Sequence, residues 1–196
     1  MAKRCFDILF SFIGLVFLSP FFGLLAIIIL IDSKGGVFYK QIRVGKKGVD
    51  FKLYKFRSMR VGSDKKGLLT VGGRDNRITK TGYFIRKYKL DELPQLINVF
   101  IGDMSLVGPR PEVRKYVDLY NSEQLKVLSV KPGITDYASI QYSNENELLA
   151  KSQDPEITYI EEIMPDKLNL NMRYINESGV FTDVKIIVKT IKKILS

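Results

Sequence analysis

Histidine is absent from the 196-residue sequence, and cysteine occurs once, at Cys5. Without histidine there is no Ser-His-Asp or Cys-His nucleophile system and no His-ligated metal site. One cysteine makes neither an internal disulfide nor a Cys-rich zinc site, which fits a reducing compartment. The P-loop pattern, a G-x-G-x-x-G turn after a strand and the G-x-S-x-G elbow are missing as well. Any chemistry must come from carboxylates, Lys, Arg, Tyr and hydroxyls. The compatible metal is a hard, oxygen-liganded ion such as Mg²⁺.

Negative charge is scarce over much of the chain. Residues 34–60 carry nine Lys or Arg against one acid, Asp50, and the net charge is +10. Residues 144–166 reverse the balance, with seven acids against Lys151. The basic part expects an anionic partner: nucleic acid, a phosphorylated substrate or an anionic membrane surface. The acidic stretch reads as a solvated helix face.

From Ile8 to Ile31 there is no charge over 24 residues. A straight helix of that length rises about 36 Å, enough to cross a bilayer core of about 30 Å. The run is longer than the apolar part of a signal peptide and no A-x-A-like site follows. Ser19-Pro20 falls near its middle. Pro20 lacks an N–H and clashes with the Val16 carbonyl, so a kink or break is expected, with the Ser19 hydroxyl able to satisfy a freed carbonyl. Lys3 and Arg4 precede the run, and Lys34, Lys40 and Arg43 follow it. Basic residues on both flanks place both ends in the cytoplasm. A re-entrant hairpin, a kinked crossing and a buried soluble helix all remain open on these features.

Beyond the run, residues 37–43 and 49–57 are rich in β-branched and aromatic residues around GKKG, a β-hairpin pattern. Residues 61–80, with Gly72-Gly73, read as a loop. A helix is expected over 83–90. Leu93, Leu96, Ile97 and Phe100 recur at helical spacing up to Gly102. GDMSLVGPRPE reads as a loop stiffened by Pro109 and Pro111, residues 113–130 as one helix, and KPGIT as a turn. The closing TDVKIIVKTIKKILS is a basic amphipathic helix, suited to a membrane interface or to a soluble core. There is no repeat and no visible domain boundary, so residues 1–196 are expected to form one domain.

Asp91 and Glu92 stand at the edge of a basic run: residues 77–90 hold five Lys or Arg and no acid. A helix start explains such a pair, with Asp as N-cap, Glu in the first turn and Pro94 tolerated there. Phosphoryl transfer explains it too. A carboxylate attacks phosphorus to form an acyl phosphate, its neighbour holds Mg²⁺, and Arg and Lys clamp the remaining oxygens.

The residues also carry a resemblance. The pieces are Lys-Arg-x-x-Asp before the apolar run with Ser19-Pro20, FYKQIRVGKKGVDFKLYKFRSM, IRKYKLDELPQLINVFIGDMSLVGPRPE, KPGIT and TDVKII. They are collinear over nearly the whole chain, and the chain resembles the bacterial sugar transferases, the monotopic phosphoglycosyl transferases. The resemblance implies an α+β, mostly helical, membrane-associated catalytic domain. It would have a re-entrant helix-break-helix over 5–31, a small β-hairpin and interfacial amphipathic helices. It implies transfer of a sugar phosphate from a UDP-sugar to polyprenyl (undecaprenyl) phosphate with release of UMP, at the cytoplasmic face of the bacterial inner membrane. Asp91 is then the nucleophile, Glu92 and Asp91 hold Mg²⁺, and Lys55, Arg86 and Arg110 bind phosphate. Asp183 matches a family acid, with a helix N-cap as its plain alternative. The expected partners are the UDP-sugar, the polyprenyl phosphate, membrane lipids and a second copy of the chain, but no nucleic acid. The lack of an extra N-terminal membrane domain suggests a minimal catalytic core. The chain departs from relatives after PGIT, where TDYASIQYSNENELLAKSQDPE replaces a Gly-Trp and Asn-Gly-Arg segment, and at Asn171. The competing readings are a non-enzymatic, basic, membrane-associated binding protein and a scaffold that has lost activity.

Overall fold

A computed structural model describes residues 2–63, 67, 69–72 and 75–195. The apolar run forms α1 (Ala2–Asp32), a 31-residue helix. The expected break is not an interruption, because helix continues through Pro20. Local chemistry explains the tolerance. The Ser19 hydroxyl donates to the Val16 carbonyl at 2.8 Å, the acceptor that Pro20 has no N–H to serve. Much of α1 stays uncovered: Phe17 is 83% and Ile31 81% exposed. An apolar surface of that extent on a long helix marks a membrane or partner contact.

The covered parts of α1 are its two ends. Near the start, the Lys3 ammonium donates to the Val107 carbonyl at 3.0 Å and Arg4 to the Phe100 carbonyl at 2.8 Å. Asp7 is buried and accepts from the Ser105 hydroxyl and the Leu106 N–H, each at 3.0 Å. Near the finish, Leu25 and Ile29 pack with Phe56 and Ile85. There the Arg57 guanidinium donates to the Ser33 carbonyl at 2.7 Å. Leu96 lies against Gly14 between the two ends.

The hairpin is as expected. Strands β1 (Phe38–Val44) and β2 (Asp50–Phe56) pair antiparallel, with Phe38 opposite Phe56 and Val44 opposite Asp50. Gly48, at φ +75°, supplies the left-handed turn position. The described residues between β2 and Thr79 hold turns and one isolated bridge, Met59 with Ile78, while residues 64–66, 68, 73 and 74 of the expected loop lie outside the described residues. Thr79 caps α2 (Lys80–Lys87) by accepting from the Gly82 N–H at 3.0 Å. Lys89, at φ +56°, turns the chain into a single 3₁₀ turn, Leu90–Glu92, and α3 (Gln95–Ile101) follows and ends at Gly102.

Two sequence expectations fail here. The PRP segment is preceded by β3 (Ser105–Val107), and KPGIT is not a plain turn but enters β4 (Gly133–Thr135), which pairs with β3 in parallel. Each strand has three residues, too few to show a period. A side chain at Gly133 would collide with the Gly108 backbone, so glycine is required by space at this crossing. The single helix expected over 113–130 is broken into α4 (Arg114–Val117) and a 3₁₀ segment, Gln124–Ser129. Asn121 restarts the chain there: its side chain accepts from the Gln124 N–H while the Gln124 side chain accepts from the Asn121 N–H, both at 2.9 Å.

After α5 (Tyr137–Gln141), the acidic stretch folds as α6 (Glu145–Ala150), α7 (Pro155–Thr158), a π-helical turn (Tyr159–Ile163) and the start of α8 (Met164–Glu177). Leu149, Tyr159, Ile163 and Leu168 bury themselves with Val113, Tyr116 and Val127. Glu147, Asp154, Glu161 and Glu162 face solvent as expected. The amphipathic C-terminal helix α9 (Val180–Leu195) buries Ile186 and leaves Phe181, Val188, Ile191 and Leu195 exposed. The architecture is mostly helical with small sheets, in keeping with an α+β class.

Candidate active site

Four elements bring the expected basic residues and the acidic pair to the wall of one cavity of about 1290 Å³. Strand β2 supplies Lys55, α2 supplies Arg86, the 3₁₀ turn supplies Asp91 and Glu92, and the loop after β3 supplies Arg110. The helix-start explanation of the pair does not hold. Pro94 occupies the N-cap of α3, and neither carboxylate caps it.

The two acids have different surroundings. The Arg110 guanidinium takes both Glu92 oxygens, Nη1 to Oε2 at 2.9 Å and Nη2 to Oε1. Lys55 Nζ lies 3.5 Å from Oε1 of the same group. Burial alone raises the Glu92 carboxyl, but Arg110 and Lys55 outweigh it and hold it well below the usual range. Asp91 is 4% exposed, and no described residue hydrogen-bonds its carboxylate. Burial, and then the charge of Glu92, push the Asp91 carboxyl up. Burial drags Lys55 down to about 8, against the pull of Glu92. Arg86 is tied to the Thr70 hydroxyl at 3.1 Å.

Among the described residues this buried carboxylate has no hydrogen-bond partner, and the charges near it in the cavity are its neighbour Glu92 and the cations Lys55, Arg86 and Lys89. Such a group suits a nucleophile for an anionic electrophile, because the cations offset the repulsion between the two. Among the described residues no group of three or more acids, His or Cys gathers as a metal cage. Mg²⁺ needs less than that, since one or two carboxylates plus substrate phosphate oxygens and waters suffice. The open Asp91 carboxylate beside Glu92 fits such a site.

Not every expected residue joins the cavity. Ser19 and Pro20 belong to the exposed middle of α1. Asp183 is fully buried in the first turn of α9 but is no N-cap. It accepts from the Tyr174 hydroxyl at 2.7 Å and pairs with Lys3. Its work is to hold α1, α8 and α9 together. Sequence reasoning missed Glu112, which lines the cavity and pairs with Arg43 at 2.9 Å while accepting from Tyr159. The only signal was an acid directly after Pro111. Asn171 is buried against a smaller cavity that also touches Arg110, and its Oδ1 has no hydrogen-bond partner among the described residues.

The family described as bacterial sugar transferase matches the chain over residues 1–196. A UDP-N-acetylgalactosamine-undecaprenyl-phosphate N-acetylgalactosaminephosphotransferase of Aeromonas hydrophila is 38% identical, covering 99% of this chain and 44% of its own length. A UDP-glucose:undecaprenyl-phosphate glucose-1-phosphate transferase of Escherichia coli K12 is 36% identical over 98% of this chain and 40% of its own. The exopolysaccharide production protein ExoY of Rhizobium meliloti is 32% identical over 97% and 84%. The chain thus spans less than half the length of the first two relatives and most of the third.

Proposed function

The chain belongs to the bacterial sugar transferase family, and on that premise we propose that it is a phosphoglycosyl transferase. It moves a sugar-1-phosphate from a UDP-sugar to polyprenyl phosphate, an early membrane step of polysaccharide assembly. The relatives' names carry both undecaprenyl phosphate and nucleotide sugars. The observation that carries the reading is the buried Asp91 carboxylate, without a hydrogen-bond partner among the described residues, in a cavity lined by Lys55, Arg86 and Arg110.

In this mechanism an Asp91 oxygen attacks the sugar-side phosphorus of the diphosphate. The bond from that phosphorus to the bridging oxygen breaks, and UMP leaves with the electron pair. The aspartyl-phosphosugar so formed is attacked at the same phosphorus by a phosphate oxygen of the polyprenyl acceptor, which frees Asp91. Lys55, Arg86 and Arg110 offset the charge of the phosphoryl oxygens. Glu92, kept ionised by Arg110, would hold Mg²⁺ together with Asp91; when bound, the ion adds charge neutralisation at the diphosphate.

For the topology we infer a re-entrant α1, and the contacts at its two ends support that reading. Both ends of α1 are tied to one domain, through Lys3, Arg4 and Asp7 at the start and through Leu25, Ile29 and Ser33 at the finish. A helix crossing the bilayer would pull one set of these polar contacts to the far side. A helix dipping into the cytoplasmic leaflet keeps both, and leaves the exposed apolar residues of α1 and α9 to lipid.

A UMP-release assay with a panel of UDP-sugars and undecaprenyl phosphate tests the reading. Release with at least one donor, and a burst of UMP before acceptor is added, are expected. No release with any donor turns the reading toward a non-catalytic binder.

A further inference from the structure

Arg110 is the only residue of the Pro109-Arg110-Pro111 segment with a backbone N–H. That single donor does not go to the β ladder. It donates to Oδ2 of Asp136 at 3.0 Å. The neighbouring backbone groups do continue the ladder: the Gly108 N–H donates to the Thr135 carbonyl at 3.1 Å, and the Gly133 N–H to the Pro109 carbonyl at 3.0 Å. Asp136 itself is fully buried, directly after β4. Its other oxygen, Oδ1, accepts from the Ser139 N–H at 2.6 Å as the cap of α5. One buried carboxylate thus joins the start of α5 to the backbone from which Arg110 reaches Glu92.

We propose that Asp136 is a positioning residue for Arg110, holding the loop so that the guanidinium meets both oxygens of Glu92 at the cavity wall. Three constraints act on Arg110. Pro109 and Pro111 limit the torsions of the loop, so its remaining freedom is a rigid-body swing about the end of β3. The parallel strands have three residues each, too few to hold a loop end by themselves. A bidentate guanidinium–carboxylate pair demands both distance and plane, so a small swing breaks one of its two bonds. The Asp136 bond lies at the residue where the swing matters most. A carboxylate is also the acceptor that suits the place, because it serves two N–H donors at once. For activity this inference rests on the transferase reading above, and the test keeps the two separate.

Asp136→Ser retains a side-chain oxygen able to cap α5 but lacks the second acceptor, and Asp136→Ala lacks both. In the full chain in detergent or membranes, hydrogen exchange is followed on the peptide containing residues 108–112. Exchange at the Arg110 amide is expected to rise at least about tenfold in both variants, with the peptides of β1 and β2 unchanged. UMP release is expected to fall about ten- to a hundredfold in both. Asp136→Ser should keep a thermal midpoint close to that of the parent chain. The same Asp136→Ser change made in an Arg110→Ala background should cost no more than about twofold further, because the side chain to be positioned is gone. Unchanged exchange at Arg110 in Asp136→Ser overturns the inference. So does an equal loss of turnover in both backgrounds, which would make Asp136 a scaffold residue alone. If the parent chain released no UMP from any donor, the transferase reading would fall, and the exchange measurement would still decide the position of Arg110.

Discussion

The Arg110 guanidinium takes both oxygens of Glu92 from a loop 18 residues further along the chain. The adjacent Asp91 is left with no hydrogen-bond partner among the described residues. Two neighbouring acids are thus set apart by their surroundings, one neutralised and one open.

Asp91→Asn should reduce UMP release by at least roughly a thousandfold, since an amide is a poor nucleophile toward phosphorus. The thermal midpoint should hold or rise slightly. Burial disfavours the Asp91 charge, so an uncharged group of the same shape removes a cost and breaks no hydrogen bond. Parental turnover in this variant would remove Asp91 from the mechanism.

Arg110→Lys keeps the charge but loses the planar fork that holds Glu92 at two points. A fall in kcat of about a hundredfold is expected, in the range seen when one preorganised donor is lost. Steady-state UMP release checks it, and a change confined to KM would instead make Arg110 a ground-state binding group.

Glu112 gives a pH dependence of stability. Burial raises its carboxyl, but Arg43, Lys167 and the Tyr159 hydroxyl outweigh that and hold it below the ordinary 4.5. The folded protein then binds fewer protons at this group than the unfolded chain does. The stabilisation is present above about pH 4.5 and is lost as pH falls through the lower folded value. Glu112→Gln should cost about 2 kcal/mol near neutral pH, with the gap to the parent closing in acid. Denaturant titrations at pH 7 and below pH 4 measure both ends, and a gap that widens in acid has the wrong sign for this account.

Position 2 and position 34 should face the same side of the membrane. In a Cys5→Ser background, Ala2→Cys and Lys34→Cys are each expected to react with an impermeant thiol reagent only when the cytoplasmic face is open. Replacing Ser19-Pro20 by Ala-Leu restores the backbone hydrogen bond to the Val16 carbonyl that Pro20 cannot make, favours a straight helix of spanning length and should shift position 2 toward the periplasm, with loss of UMP release. Periplasmic labelling of position 2 in the parent would show α1 to be a crossing helix.

The amino-acid order alone determined the features that depend on local pattern. The hairpin was legible because alternating β-formers flank GKKG, α3 because Leu93 to Phe100 keep helical spacing up to Gly102, and α1 because 24 uncharged residues allow little else. The acidic pair and its cations were legible as chemistry, since charges of both signs stood together in an otherwise basic stretch. Only the tertiary structure decided the rest, because it depends on partners far apart in the chain. Strands β3 and β4 are too short to show a period and exist only by pairing Ser105 with Gly133 and Val107 with Thr135. Asp183, for which a helix cap was the plain alternative, is a buried partner of Lys3, which lies 180 residues away. Pro20 promised a break, but the Ser19 hydroxyl satisfies the carbonyl it leaves, and packing at both ends of α1 keeps one helix. Asp91 and Glu92 are neighbours of nearly identical chemistry in the sequence. What makes one a held anion and the other an open one is a guanidinium brought over by β3, a spatial fact that no local pattern contains.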